Sequence, residues 1–231
     1  MNFWRFWQDT LDLLYPNACC ACQELLVGNE DVICTRCRLS LPRTQSHLNP
    51  IPMLQNKFLG KAPIEKVYAF LSFSKKGKVQ QLLHHLKYRN RPEVGEVLGN
   101  IYGQELKATH SLLDLDLLIP VPLHARKKKQ RGYNQSEVLA KGLSQSTGIA
   151  FSSEILIRAK DTDTQTRKTR IERFENVSGI FEVVNPSLIK GKKIGLVDDV
   201  LTTGSTLESA AGVLLQHGAA EIIIITLAAA Y

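Results

Sequence analysis

The sequence predicts an α/β fold: a parallel sheet flanked by helices, with a small metal-binding module at its N-terminus. Three observations predict it. Residues 194–227 read as strand, helix, strand, and Leu117 to Pro122 read as a further strand. All five cysteines fall within nineteen residues near the start. At 231 residues the chain exceeds the usual single domain and falls short of two large ones. We therefore expect a main domain over 64–231 and an appendage over 1–63. Hydrophobic residues at 44% and charged residues at 22% fit a globular core. No apolar run approaches the roughly eighteen residues of a membrane span, so no membrane insertion is expected.

In chain order, Phe3, Trp7, Leu11 and Leu14 recur at helical spacing and predict an amphipathic helix docked on the protein. Asp9 and Asp12 interrupt this stretch and no small-residue cleavage site follows, so it does not read as a signal peptide. A chain kept in the reducing cytoplasm favours metal ligation over disulfides. Cys19-x-x-Cys22 and Cys34-x-x-Cys37 each let two thiolates face one tetrahedral ion, and together they predict a structural zinc site. Cys20 could take the place of Cys19 in the first pair. With four sulfurs bound, no position remains for water or substrate. Pro42 to Pro63 shows little periodicity and is expected to be a linker.

Leu82, Leu83, Leu86 and Tyr88 are expected to pack one face of a helix, with His84 and His85 structural. The strand from Leu117 ends at Pro120 and Pro122, which cannot continue a ladder. Arg126, Lys127, Lys128, Lys129 and Arg131 then place five cations in six residues, read as an anion-binding loop or a solvated basic patch. Asn134 is placed to cap a helix running to Leu143. Arg158 to Arg170 is rich in hydroxyls and cations without apolar periodicity, and is expected to be a mobile lid.

The most informative stretch follows. Ile194 to Val197 reads as a buried strand, Leu207 to His217 as a helix stopped by Gly218, and Ile222 to Leu227 as a second strand. Between strand and helix lie Asp198, Asp199, Thr202, Thr203, Gly204, Ser205 and Thr206. N–H groups at a helix start are unpaired and sit at the positive end of its dipole, so they suit phosphate. Carboxylates beside such a site must accept from hydroxyls or hold a metal. A sugar phosphate with a vicinal diol meets both needs, with Mg²⁺ as the ion that favours oxygen ligands. Taken singly, Thr-Thr-Gly-Ser could be a helix cap through Ser205 or Thr206, and paired acids are common at turns. In combination they are far more specific.

Charge is partitioned along the chain. Residues 1–60 are neutral, residues 61–193 hold 24 basic against 13 acidic side chains, and residues 194–231 hold four acids and no Lys or Arg. That pattern suggests an anionic ligand met by basic segments, with the acids serving its hydroxyls.

Val197 to Thr206 resembles the phosphoribosyl pyrophosphate motif of type I phosphoribosyltransferases. The resemblance implies that Asp198 and Asp199 contact ribose and that Thr202 to Thr206 hold the 5′-phosphate. Leu86-Lys-Tyr88, Pro120-Val-Pro-Leu123, Arg131-Gly-Tyr-Asn-Gln135 and Thr162-x-x-Gln165 followed by Arg173-x-x-Asn176 extend it to the ComF family. That family joins a four-cysteine zinc element to a phosphoribosyltransferase-like domain. Tyr133 departs from the more usual phenylalanine. The resemblance implies phosphoribosyl pyrophosphate with Mg²⁺ as ligand, Arg131 among the catalytic residues, and Arg158, Thr162, Gln165 and Arg173 in the mobile loop. It also implies a link to natural competence, with single-stranded DNA and a DNA-uptake helicase as partners.

Two functions of different class follow. One is a phosphoribosyltransferase whose nitrogen acceptor displaces pyrophosphate from C1. The other is a non-catalytic single-stranded DNA-binding protein that keeps the fold, with Tyr88, Tyr133 and Phe174 beside cations where bases could stack. A transcription-type zinc protein is disfavoured, since no base-reading helix follows the cysteines.

Overall fold

The structure is a computed structural model that describes residues 17–112, 114–158 and 180–230. In chain order the strands are β1 (Lys66–Ser72), β2 (Leu117–Pro120), β3 (Leu156–Arg158), β4 (Phe181–Val183), β5 (Lys193–Leu201) and β6 (Glu221–Ala229). The helices are α1 (Thr35–Ser40), α2 (Pro52–Gln55), α3 (Lys78–Tyr88), α4 (Glu93–Ala108), α5 (Ala125–Arg131), α6 (Gln135–Thr147) and α7 (Ser205–Gln216). Four strands form one parallel sheet in the order β1-β6-β5-β2, and β3 and β4 form an antiparallel pair.

β6 lies inside the sheet, which explains its composition. A strand covered on both faces has no solvent side to mark with polar residues, so Ile222 to Ile225 run on without alternation. Ile222 and Ile224 enter one apolar layer with α7 and the β3–β4 pair, while Ile223, Ile225 and Leu227 enter the other with α3, α4 and α6. The second layer also takes Cys19, Cys20, Val32, Ile33 and Leu41, so the cysteine segment shares a core with the main fold.

α4 and α6 pack through glycines. A Cβ on Gly99 would meet the Leu139 carbonyl oxygen at 2.4 Å, and one on Gly142 would meet that of Glu96 at 2.1 Å. Only bare backbone lets the helices come this close.

The segment from Pro42 to Pro63 is not the linker its lack of periodicity suggested. The Thr44 N–H donates to Phe70 O at 3.0 Å and the Ser72 N–H to Pro42 O at 2.8 Å, covering the free edge of β1. Buried Ser46 accepts from the Ala69 N–H at 2.8 Å and donates to its carbonyl at 3.1 Å. Further on, Leu54 and Phe58 are buried against the layer that holds α7. Side chains anchor this stretch singly, so no period announces it. At the opposite edge, Ala150 and Ser152 bond Leu118 of β2.

The basic run expected as a loop is a helix, α5, ended by Gly132 at φ 84°. Tyr88 does not pack with Leu82, Leu83 and Leu86, which are buried; it is 70% exposed. The helix expected from Phe3 to Leu14 lies outside the described residues. Among those residues no helix is long and apolar enough to cross a membrane.

Candidate functional site

The carboxyl ends of parallel strands leave a crevice where ligands bind in open α/β sheets. Here that end carries Asp198 and Asp199. They lie within β5, which keeps its register with β6 to Val200↔Ala228 and Leu201↔Ala229. The strand is therefore longer than its apolar run, and rigid pairing holds both carboxylates.

Each acid has partners from a neighbouring helix. The Ser136 hydroxyl donates to Asp198 Oδ1 at 2.8 Å, and the Asp199 N–H donates to the same oxygen at 2.8 Å. Lys87 Nζ lies 2.9 Å from Asp199 Oδ2. Burial, then the neighbouring Asp199 charge, pushes the Asp198 carboxyl up to about 7 despite these donors. The site thus holds two adjacent carboxyls whose second charge is costly.

The loop beyond them is shaped for an anion. Gly204 stands at the cap position of α7 with φ 87° and has no side chain to cap it, so the helix-cap alternative for Ser205 and Thr206 fails; the Ser205 N–H reaches only Thr203 Oγ1, at 3.5 Å. Phe58 supports the loop from below: a Cβ on Gly204 would meet its ring at 3.1 Å. Thr203 Oγ1 and Ser205 Oγ lie 3.2 Å apart. Asp198, Thr202 to Thr206 and their neighbours line a recess of about 40 Å³ at the uncapped helix start.

Beside it opens a cleft of about 230 Å³ lined by Asp198, Asp199, Thr206, Lys87, Lys127, Arg131 and Arg158 among others. Its wall includes Val121 to Leu123, held where the Asn134 Nδ2 donates to Val121 O at 2.9 Å. Asn134 also caps α6 through the Ser136 N–H, as expected. Helical spacing decides which cations of α5 face the cleft. Lys127 and Arg131, four apart, line it, while Lys128 turns to Glu137 at 3.2 Å. Lys129 lines an adjoining groove of about 610 Å³ with Lys87, Tyr88, Lys127 and Arg131. Arg126 lines neither cleft nor groove. Thr162, Gln165, Arg173 and Phe174 lie outside the described residues.

Two residues were not singled out for the site in the sequence. Lys87 entered only as the middle of the Leu86-Lys-Tyr88 motif, with no role, because it sits in a helix whose apolar face gives its charge no direction. Gln135 lines the cleft while 2% exposed, and its amide nitrogen has no partner. A buried unpaired donor in a binding wall is a functional signal visible only in three dimensions.

The cysteines form a second centre. The sulfurs of Cys19, Cys22, Cys34 and Cys37 all lie within 4.8 Å of one another, so the first pair uses Cys19. Cys20 stays outside the cluster. N–H groups of Ala21 and Cys34 point at Cys19 Sγ at 3.4 and 3.3 Å. Burial raises the Cys19 thiol, but the combined N–H donors outweigh it and bring it down to about 7. An all-sulfur set with thiolate-stabilising donors could hold a metal such as zinc.

Residues 133–230 match the family described as a phosphoribosyl transferase domain. The chain is 31% identical over 196 residues to the DNA utilization protein YhgH of Escherichia coli K12, covering 84% of this chain and 82% of that protein. It is 33% identical over 153 residues to Competence protein F of Haemophilus influenzae, covering 64% and 67%. Among solved structures, the glutamine phosphoribosylpyrophosphate amidotransferase of Bacillus subtilis aligns with a TM-score of 0.44 at 23% identity, covering 62% of this chain and 30% of that one.

Proposed function

This chain belongs to the ComF family of competence and DNA-utilization proteins with a phosphoribosyltransferase-type domain, and from that premise we propose that it binds 5-phosphoribosyl 1-pyrophosphate with Mg²⁺. The observation that carries this reading is the pair of carboxylates on β5 immediately before an uncapped, glycine-started α7. Asp198 and Asp199 accept from the ribose hydroxyls. Gly204 to Thr206 receive the 5′-phosphate on backbone N–H groups and hydroxyls, with the Ser205 N–H giving up its 3.5 Å bond to Thr203 Oγ1. Lys127, Arg131 and Arg158, which line the cleft, face the diphosphate. Arg126, which lines neither cleft nor groove, contributes to the surface potential.

Asp198 and Asp199 would hold Mg²⁺ together with oxygens of the ligand, and the ion would supply charge neutralisation to the leaving group. The chain contributes positioning and electrostatics as an acceptor nitrogen displaces pyrophosphate from C1. No side chain among the described residues stands as an evident general base. In this proposal the cysteine segment is held by zinc, and the ligand-binding domain takes in the stretch from Pro42 that packs on β1 and α7. Arg158, expected in the mobile loop, is instead the last residue of β3, and Thr162, Gln165 and Arg173 belong to a closing loop beyond it.

Turnover is tested by incubating protein, phosphoribosyl pyrophosphate and Mg²⁺ with nitrogenous bases and nucleotides and measuring released pyrophosphate. Acceptor-dependent release supports the transferase. Binding without release from any acceptor points to a ligand-sensing role.

A second reading is favoured by one feature: the 610 Å³ groove, where Arg131 lies 5.9 Å from the ring of exposed Tyr88. Aromatic and cationic side chains together suit a single strand. If the groove neutralises several phosphates, affinity for a single-stranded oligonucleotide falls steeply and linearly on a log-log salt plot. A flat plot contradicts it.

A further inference from the structure

Lys87 stands where the sugar site and the basic groove meet. It lies in the last turn of α3 and lines both the 230 Å³ cleft and the 610 Å³ groove. Its ammonium is 2.9 Å from Asp199 Oδ2, with the two side chains 26% and 15% exposed. Among the described residues it is the cation within ion-pair distance of either carboxylate. The end of α3 is tied down, because the Tyr133 hydroxyl donates to the Leu86 carbonyl beside it. The backbone at Lys87 is therefore fixed while its four-carbon stem can swing.

We propose that Lys87 is an exchangeable counter-ion: it neutralises Asp199 until a ribose hydroxyl takes over that oxygen, and then passes to the ligand's diphosphate. This rests on the reading of the site given above. A half-buried ion pair is costly to break unless both partners are satisfied afterwards. A ligand with a diol and a diphosphate satisfies both at once, since the hydroxyl donates to the carboxylate and the diphosphate accepts the ammonium. Ribose 5-phosphate supplies the hydroxyl alone, so it must strip Asp199 of its cation and leave the cation nothing in return. Lys87 thus makes the sugar site answer to the presence of the diphosphate. It disfavours the sugar phosphate that lacks it, beyond the contacts the diphosphate makes with Lys127 and Arg131. No bond is made or broken in this step; one ionic contact replaces another.

The test compares two ligands on three proteins. Phosphoribosyl pyrophosphate with Mg²⁺ and ribose 5-phosphate are titrated calorimetrically into wild type, Lys87→Met and Lys87→Arg, with thermal melts to confirm folding. In Lys87→Met, affinity for phosphoribosyl pyrophosphate is expected to fall roughly 10- to 100-fold. Affinity for ribose 5-phosphate should hold or rise, since Asp199 is then free to accept. Lys87→Arg keeps the cation and should recover most of the diphosphate affinity. Equal losses for both ligands would show that Lys87 merely shapes the site, and no loss for either would show that it has no part in binding. Both results overturn the exchange. Wild-type protein that binds neither ligand overturns the underlying reading of the site and the exchange with it.

Discussion

Asp198 stands between opposing influences on its charge. Burial and the charge of Asp199 raise its carboxyl to about 7, while Ser136 and a backbone N–H stabilise the ionised form. In the unfolded chain the same group ionises near its ordinary value of about 4. A folded-state value above the unfolded one means that folding stability falls as pH rises from about 4 through about 7, because the unfolded chain loses this proton first. Asp198→Asn removes that dependence. Its melting temperature relative to wild type should therefore climb between pH 5 and pH 8, by about 3 °C or more. A constant difference across that range would contradict the raised carboxyl. Gly204 shows a second single-residue dependence. Alanine there meets both the left-handed backbone and the Phe58 ring, so Gly204→Ala should lower stability by about 1–2 kcal/mol in urea unfolding and weaken phosphate binding. An unchanged urea midpoint would mean that the loop relaxes freely.

At the scale of elements, the glycine contact between α4 and α6 sets where the site begins. α6 opens with Asn134, Gln135 and Ser136, which hold the Pro120–Pro122 wall, line the cleft and bond Asp198. Gly99→Ala pushes a methyl toward the Leu139 carbonyl and should cost about 1–3 kcal/mol while shifting this start. Chemical shifts at residues 134–136 would move with it, and a silent variant would show that the helices have room. Elements with a clean period were legible in the sequence: the β5-α7-β6 unit, the Asn134 cap, and the strand halted by Pro120. Their boundaries shifted by a few residues because pairing with a neighbour continues past the apolar run, as in β5. Other features had no period to read. Gly95, Gly99 and Gly103 recur every four residues, but close approach depends on a partner far along the chain. The segment before residue 64 is held by Ser46, Leu54 and Phe58 one at a time. The charges of α5 hid its helix, since exposure leaves no apolar face to see. Cation identity was legible at the site, but cation direction was not, and so Lys127 and Arg131 separate from Arg126 and Lys128 only in space.

Over the whole molecule, the cysteine cluster and the ligand site are joined by one apolar layer. Cys19, Cys20 and Cys37 share it with Leu82, Leu86, Leu98 and Leu139, and α3 from that layer delivers Lys87 to Asp199. If the four sulfurs hold zinc, its removal should loosen more than the segment that binds it. Treatment with a strong chelator, or Cys37→Ser, is expected to lower the melting temperature of the entire chain by more than about 5 °C in one transition. Metal analysis should give one zinc per untreated chain. An unchanged melt would confine the cluster's role to its own segment. The charge partition fits the same layout: Lys87 of α3 and Lys127 and Arg131 of α5 line one cleft with Asp198 and Asp199 of β5. The most direct test of this account is a calorimetric titration of phosphoribosyl pyrophosphate, with and without Mg²⁺, into wild type and an Asp198→Asn/Asp199→Asn double variant. Mg²⁺-dependent binding by wild type that is lost in the folded double variant is the predicted result. Equal binding by both proteins, or none by a folded wild type, would contradict the assignment of the carboxylate pair.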